Sequence, residues 1–117
     1  MPRTISMLML GVVSLETSVP FYRDIVELEV ETQFPGFAFF SAGGIKLALN
    51  EDLGRAITPT AGAVEVIFPT QSVLAGYLSL KEKGCQFLRE PREVSPGLHA
   101  ATFRDPDGHL LTLFGPA

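Results

Sequence analysis

The sequence predicts an α+β fold made of two tandem β-α-β-β-β modules. Three observations carry that prediction. The order of elements repeats, with Met7 mapping onto Ala63. Each half holds one helix-like stretch among short strand-like runs, and the runs are separated by turn dipeptides. A chain of 117 residues suits one structural domain, divided here into a first module over 1–52, a linker over 53–61 and a second module over 62–117.

Met7 to Val13 is apolar at nearly every position and bounded by polar residues, so it reads as a strand buried on both faces, with Met7, Met9 and Gly11 on one of them. Thr17 or Ser18 can cap the following helix. Pro20 is tolerated in its first turn, and Phe21, Ile25 and Leu28 fall at helical spacing. Three strand-like runs come next, Val30 to Gln33, Phe37 to Ala42 and Ile45 to Asn50, divided by the turn dipeptides Pro35-Gly36 and Gly43-Gly44. Glu51 to Gly62 has Gly54, Pro59 and Gly62 and no sustained periodicity, which marks a linker.

The second half begins with an alternating strand, Ala63 to Phe68. Thr70 can cap a helix whose stripe is Leu74, Tyr77, Leu78 and Lys81, and Gly84 stops it. Gln86 to Glu90, Leu98 to Arg104 and His109 to Phe114 complete the repeat, the last two joined by Asp105-Pro106-Asp107-Gly108.

Composition narrows the function classes. Hydrophobic residues make up 46% of the chain and charged ones 19%, which excludes an intrinsically disordered protein. Nine Lys and Arg against thirteen Asp and Glu give a net charge of −4, and no basic stripe tracks phosphates, so nucleic acid is not an expected partner. The run from Met7 to Val13 is far short of a bilayer span of about 20 residues, so no membrane partner is expected. Cys85 is the single cysteine and cannot form an intramolecular disulfide, which fits a cytoplasmic setting. In a small apolar slot after the helix stop, it reads as buried and inert.

The stretches Ser18-Val19-Pro20-Phe21-Tyr22-Arg23-Asp24 and Phe103-Arg104-Asp105-Pro106-Asp107-Gly108-His109 resemble those of the vicinal oxygen chelate superfamily, which includes glyoxalase I, extradiol dioxygenases and bleomycin-resistance proteins. The resemblance covers nearly the whole chain and implies curved mixed sheets around a concave pocket. It also implies four places for metal ligands, on the first and fourth strands of each half. Those places fall on Met7, Leu47, Ala63 and Thr112. A thioether, two alkyl groups and a neutral hydroxyl do not make a transition-metal site, so no metal and no cofactor are expected. Among nearby ionisable groups only Glu65 shares the pocket-facing parity.

Strand parity then suggests what lines the pocket. Val64, Val66 and Phe68 make the better core face, leaving Ala63, Glu65 and Ile67 for the cavity. Glu65 is either a ligand-orienting acceptor or base, or a rim carboxylate paired with an arginine. A two-residue Gly43-Gly44 loop opposes Phe40 to Leu47 and Ala38 to Leu49, and places all four in the concavity with Phe40 as a stacking ring. A three-residue loop with Gly108 left-handed opposes Thr102 to Thr112 and Ala100 to Phe114, so that Thr102, Arg104 and Phe114 face the cavity. A four-residue loop would bring His99 there instead. His109 reads as solvated.

Two function classes follow. The first is a metal-free protein, closest to the bleomycin-resistance branch, that sequesters a small apolar or aromatic compound against Met7, Phe40, Leu47, Leu49, Ala63, Glu65, Thr102, Arg104, Thr112 and Phe114. The second is a glyoxalase- or dioxygenase-like lyase or isomerase with Glu65 or His99 as acid or base. A homodimer is expected, because the Met7 to Val13 and His109 to Phe114 strands are apolar on both faces.

Overall fold

The computed structural model describes residues 2, 4–58, 60–62 and 64–117. Residues up to Gly62 form one compact unit and those after it a second.

In the first unit β1 (Met7–Gly11), β2 (Glu29–Phe34), β3 (Phe37–Ser41) and β4 (Lys46–Asn50) form a sheet in the order β1-β4-β3-β2. β1 runs parallel to β4, as a helical crossover requires, and the other two pairs are antiparallel hairpins. Gly43 adopts φ +81° in the tight turn, and Ala42 donates its N–H to the Ile45 carbonyl at 3.1 Å. That turn fixes Phe40 opposite Leu47 and Ala38 opposite Leu49, the register its two glycines predict.

The crossover helix differs from its sequence reading. α1 (Leu15–Pro20) begins at Ser14 rather than at Thr17 or Ser18, and Ser14 makes no side-chain cap. Instead the Glu51 carboxylate accepts from the Leu15 N–H at 2.8 Å. Pro20 has no N–H to give, so the four-residue ladder breaks there, and Phe21–Ile25 continues as a π-helical turn in which Val26 donates to the Phe21 carbonyl.

The segment read as a linker carries α2 (Glu51–Ala56), which Asn50 caps by accepting from the Leu53 N–H at 3.0 Å. Its backbone lies almost on that of β1: a Cβ built on Gly54 would sit 2.1 Å from the Val12 carbonyl oxygen.

The second unit repeats the topology with β5 (Glu65–Pro69), β6 (Phe87–Ser95), β7 (Leu98–Arg104) and β8 (Leu110–Gly115) in the order β5-β8-β7-β6. α3 (Val73–Glu82) is capped by Ser72, which accepts from the Ala75 N–H at 3.1 Å; Thr70 instead forms a turn with Ser72. The buried stripe of α3 is Val73, Tyr77 and Leu80, whereas Leu74 and Leu78 are exposed. Gly76 decides this, because it lets the helix settle on Leu113, whose Cδ1 lies 2.7 Å from where a Cβ would be. Tyr77, Phe87 and Phe103 then join edge-on and tilted rings beneath it.

Asp105 N–H donates to the His109 carbonyl, enclosing a three-residue loop with Gly108 at φ +92°. His109 is buried rather than solvated, with its N–H donating to Asp105 Oδ1 at 2.7 Å.

Corresponding strand positions correct the repeat itself. Met7, Gly11 and Ser14 match Glu65, Pro69 and Ser72, so Met7 corresponds to Glu65 and not to Ala63.

Candidate functional site

Each sheet has one face under its helix and one open face. In the first unit Phe40 meets Tyr22 of the π-helical turn, ring centroids 5.9 Å apart, and both are fully enclosed. Leu47 and Leu49 are cross-strand partners of Phe40 and Ala38 and share that covered face. The expected pocket residues Phe40, Leu47 and Leu49 are therefore core residues. The hairpin register is the expected one but the faces are the reverse of those expected, because Phe37 to Phe40 is aromatic or apolar at every position and its parity carries no sign.

The open face of this sheet presents Met7 and Met9 from β1, Phe37 and Phe39 from β3, and Lys46, Ala48 and Asn50 from β4. Phe37 and Phe39 are parallel to within 4°, and Phe34 stands edge-on to Phe39. Sequence parity missed this aromatic row. The fourth-strand residue beside Met7 is Lys46, not Leu47, and its ammonium lies 3.4 Å from Glu31.

In the second unit Glu65 and Ile67 from β5, Leu110, Thr112 and Phe114 from β8, and Ala100, Thr102 and Arg104 from β7 share the open face. Here the alternation read from sequence gives the right parity. Thr112 donates to Glu65 Oε1, and Thr102 and Thr112 are 2.9 Å apart, both nearly inaccessible. Glu65 is thus held by a hydroxyl, and among the described residues no arginine pairs with it. Ala63 lies outside the described residues.

His99 opposes Gly115 and shares the face of Ala101 and Phe103, beneath the helix, with Nδ1 buried and unpartnered. Glu65 and His99 consequently lie on opposite faces of one sheet and cannot act as a pair. Cys85 is half-buried, and burial pushes its thiol above the usual range, the lesser influence of Lys83 opposing.

On β1 and β4 the open-face positions are Met7, Met9, Lys46 and Ala48, and the equivalent positions on β5 and β8 are Glu65, Ile67, Leu110 and Thr112. One carboxylate, one hydroxyl and thioethers are a poor donor set for a transition metal, and the Lys46 ammonium adds a positive charge to the first of these faces. Among the described residues no three His, Cys, Asp or Glu side chains converge.

A doubled β-α-β-β-β module with one open face on each sheet is the architecture of the vicinal oxygen chelate proteins. The chain belongs to the Glyoxalase/Bleomycin resistance protein/Dioxygenase superfamily, whose model matches residues 4–113. A glyoxalase/bleomycin resistance protein/dioxygenase from Nocardioides is similar at 27% identity and TM-score 0.81, over 99% of this chain and 85% of that one. TnmS3, an antibiotic binding protein from Streptomyces sp. CB03234, shares the fold at 21% identity and TM-score 0.81, over 99% and 98% of the two chains. A lactoylglutathione lyase from Agrobacterium tumefaciens shares it at 22% identity and TM-score 0.77, over 97% and 93%. No helix among the described residues is long and apolar enough to cross a membrane.

Proposed function

We propose that the protein binds a small apolar or aromatic compound, such as an antibiotic, without a metal, and that sequestration is its function. The observation that carries this reading is the makeup of the open sheet faces. Where a metalloenzyme needs converging nitrogen and oxygen ligands, the described residues of these faces are chiefly thioethers, phenyl rings and aliphatic groups, with Lys46 and Asn50 at the ends of β4, Arg104 on β7 and the Glu65 carboxylate held by a threonine. Such surfaces offer a ligand dispersion and stacking contacts plus one orienting polar group. The similarity in fold to an antibiotic binding protein supports the same reading.

The proposal extends to a homodimer in the cytoplasm. Phe34 and Ile67, each more than half exposed on an open face, favour a partner surface, and the lone Cys85 suits a reducing compartment.

Native mass spectrometry of protein purified without added ligand, run beside elemental analysis, tests the reading. A retained organic molecule with no stoichiometric transition metal is expected. One equivalent of metal, removable by a chelator with loss of a measured lyase or dioxygenase activity, would overturn it. Sedimentation at micromolar concentration is expected to show a dimer.

A further inference from the structure

On the small-molecule reading above, the hydrogen bonds on the open face of the second sheet define the class of ligand. A threonine hydroxyl has one proton to donate. Thr112 gives its proton to Glu65 Oε1, so in the contact between Thr102 and Thr112 the donor must be Thr102. Both hydroxyl protons are then consumed within the cluster. The carboxylate has none, and among the described residues nothing donates to Glu65 Oε2. The cluster therefore presents only acceptors outward, carries a negative charge and is locked in position by a hydroxyl pair that is itself nearly inaccessible.

Its surroundings define the rest of the ligand. Ile67, 54% exposed, lies beside Thr112 in register, and Leu110 and Phe114 flank it along β8. Arg104 shares the face two strands away, across Leu110, its backbone roughly 10 Å from that of Glu65. Among the described residues it forms no ion pair with the carboxylate, and Arg89 and Arg92 of β6, which oppose Thr102 and Ala100, lie one strand farther still.

We infer that Glu65, set by Thr112 and Thr102, is a recognition site for a protonated amine or similar cationic nitrogen donor on an apolar, flat framework. Anionic ligands of the same shape are disfavoured there. A donor engages the outward oxygen directly, while the framework covers Leu110 and Ile67.

Three naphthalene probes of equal shape separate the charge term from the apolar one: 2-naphthylmethylammonium, 2-naphthalenemethanol and 2-naphthoate. The chain contains no tryptophan, so naphthalene fluorescence reports their binding cleanly. The ammonium probe is expected to bind about tenfold or more tightly than the naphthoate, and Glu65→Gln to erase that preference while leaving the alcohol unchanged. Glu65 is exposed, so the substitution leaves the fold intact. Equal binding of all three probes, or a preference for naphthoate, would overturn the cationic site and leave small-molecule binding standing. A preference for ammonium that survives in the Glu65→Gln protein would also overturn it. Failure of all three to bind would overturn it too, and would count against the small-molecule reading as well.

Discussion

Replacing Gly54 by alanine sets two physical effects against each other. In an exposed helix the change would stabilise by about 1 kcal/mol, because glycine loses more backbone freedom on folding. Here the new methyl carbon would lie 2.1 Å from the Val12 carbonyl oxygen and 2.6 Å from its carbon, while contacts below 3.0 Å essentially never occur. The obstacle is backbone on both sides, so no side chain can swing away. α2 must retreat from β1 by about an ångström or more. That retreat pulls Glu51 from the Leu15 N–H, a 2.8 Å bond that satisfies the start of α1, and opens the contact in which Gly11 faces Gly54. The net expectation is a loss of about 2–4 kcal/mol. At roughly 4 °C per kcal/mol for a chain of this size, calorimetry should show Tm falling by about 8–16 °C. Gly44→Ala is the control, since nothing lies within 4 Å of its Cβ position; its Tm should be unchanged or slightly raised. A Gly54→Ala protein melting at or above the wild type would show that helix propensity, not the backbone contact, governs α2.

Ser72→Ala should cost about 1 kcal/mol by chemical denaturation, since Ser72 caps α3, whereas Ser14→Ala should cost far less because Ser14 makes no side-chain cap. Phe40→Ala should destabilise by about 3–5 kcal/mol, the cost of emptying a fully enclosed site against Tyr22. Phe39→Ala, on the open face, should melt closer to the wild type yet weaken any aromatic ligand that stacks on the Phe37–Phe39 row, read by titration of the naphthalene probes. Alkylation of Cys85 at neutral pH should be slower than that of a free thiol and should accelerate only above the ordinary thiol range, because burial favours the protonated form; rapid modification at neutral pH would contradict this.

Turn chemistry was the most legible part of the sequence. Gly43, Gly84 and Gly108 all adopt positive φ at the breaks the sequence marks; the register implied by Gly43-Gly44 is the one observed, and of the two loops open at Gly108 the structure has the three-residue one. Such positions are local: a left-handed residue announces itself whatever the rest of the chain does. Helix starts were less legible. Ser14, Thr17 and Ser18 are all capable caps, and the choice was made by Glu51, a residue distant in sequence. α2 was hidden by Gly54, which reads as a helix breaker until the carbonyl of Val12 is seen lying against it. Its visible signals were the Asn50 cap and the acidic pair Glu51 and Asp52 in the first turn.

Which residues form the candidate site was legible only where polarity interrupts an apolar strand. On β5, Glu65 breaks the pattern, and the face it marks is the open one, with Thr112 and Thr102 alongside. On β3 and β4 nothing breaks it until Lys46 and Asn50 at the ends, and those two do point to the open face, with Met7 and Met9. Asn50 even reaches Met9 Sδ at 3.2 Å. The polar ends of β4 carry the sign that the loop register lacks: with Lys46 and Asn50 on the open face, Phe37 and Phe39 share it and Phe40 faces the core. A polar residue at a strand's end is the better guide because burying it unpaired costs free energy, whereas an exposed phenyl ring costs little and is tolerated wherever a ligand or partner can cover it.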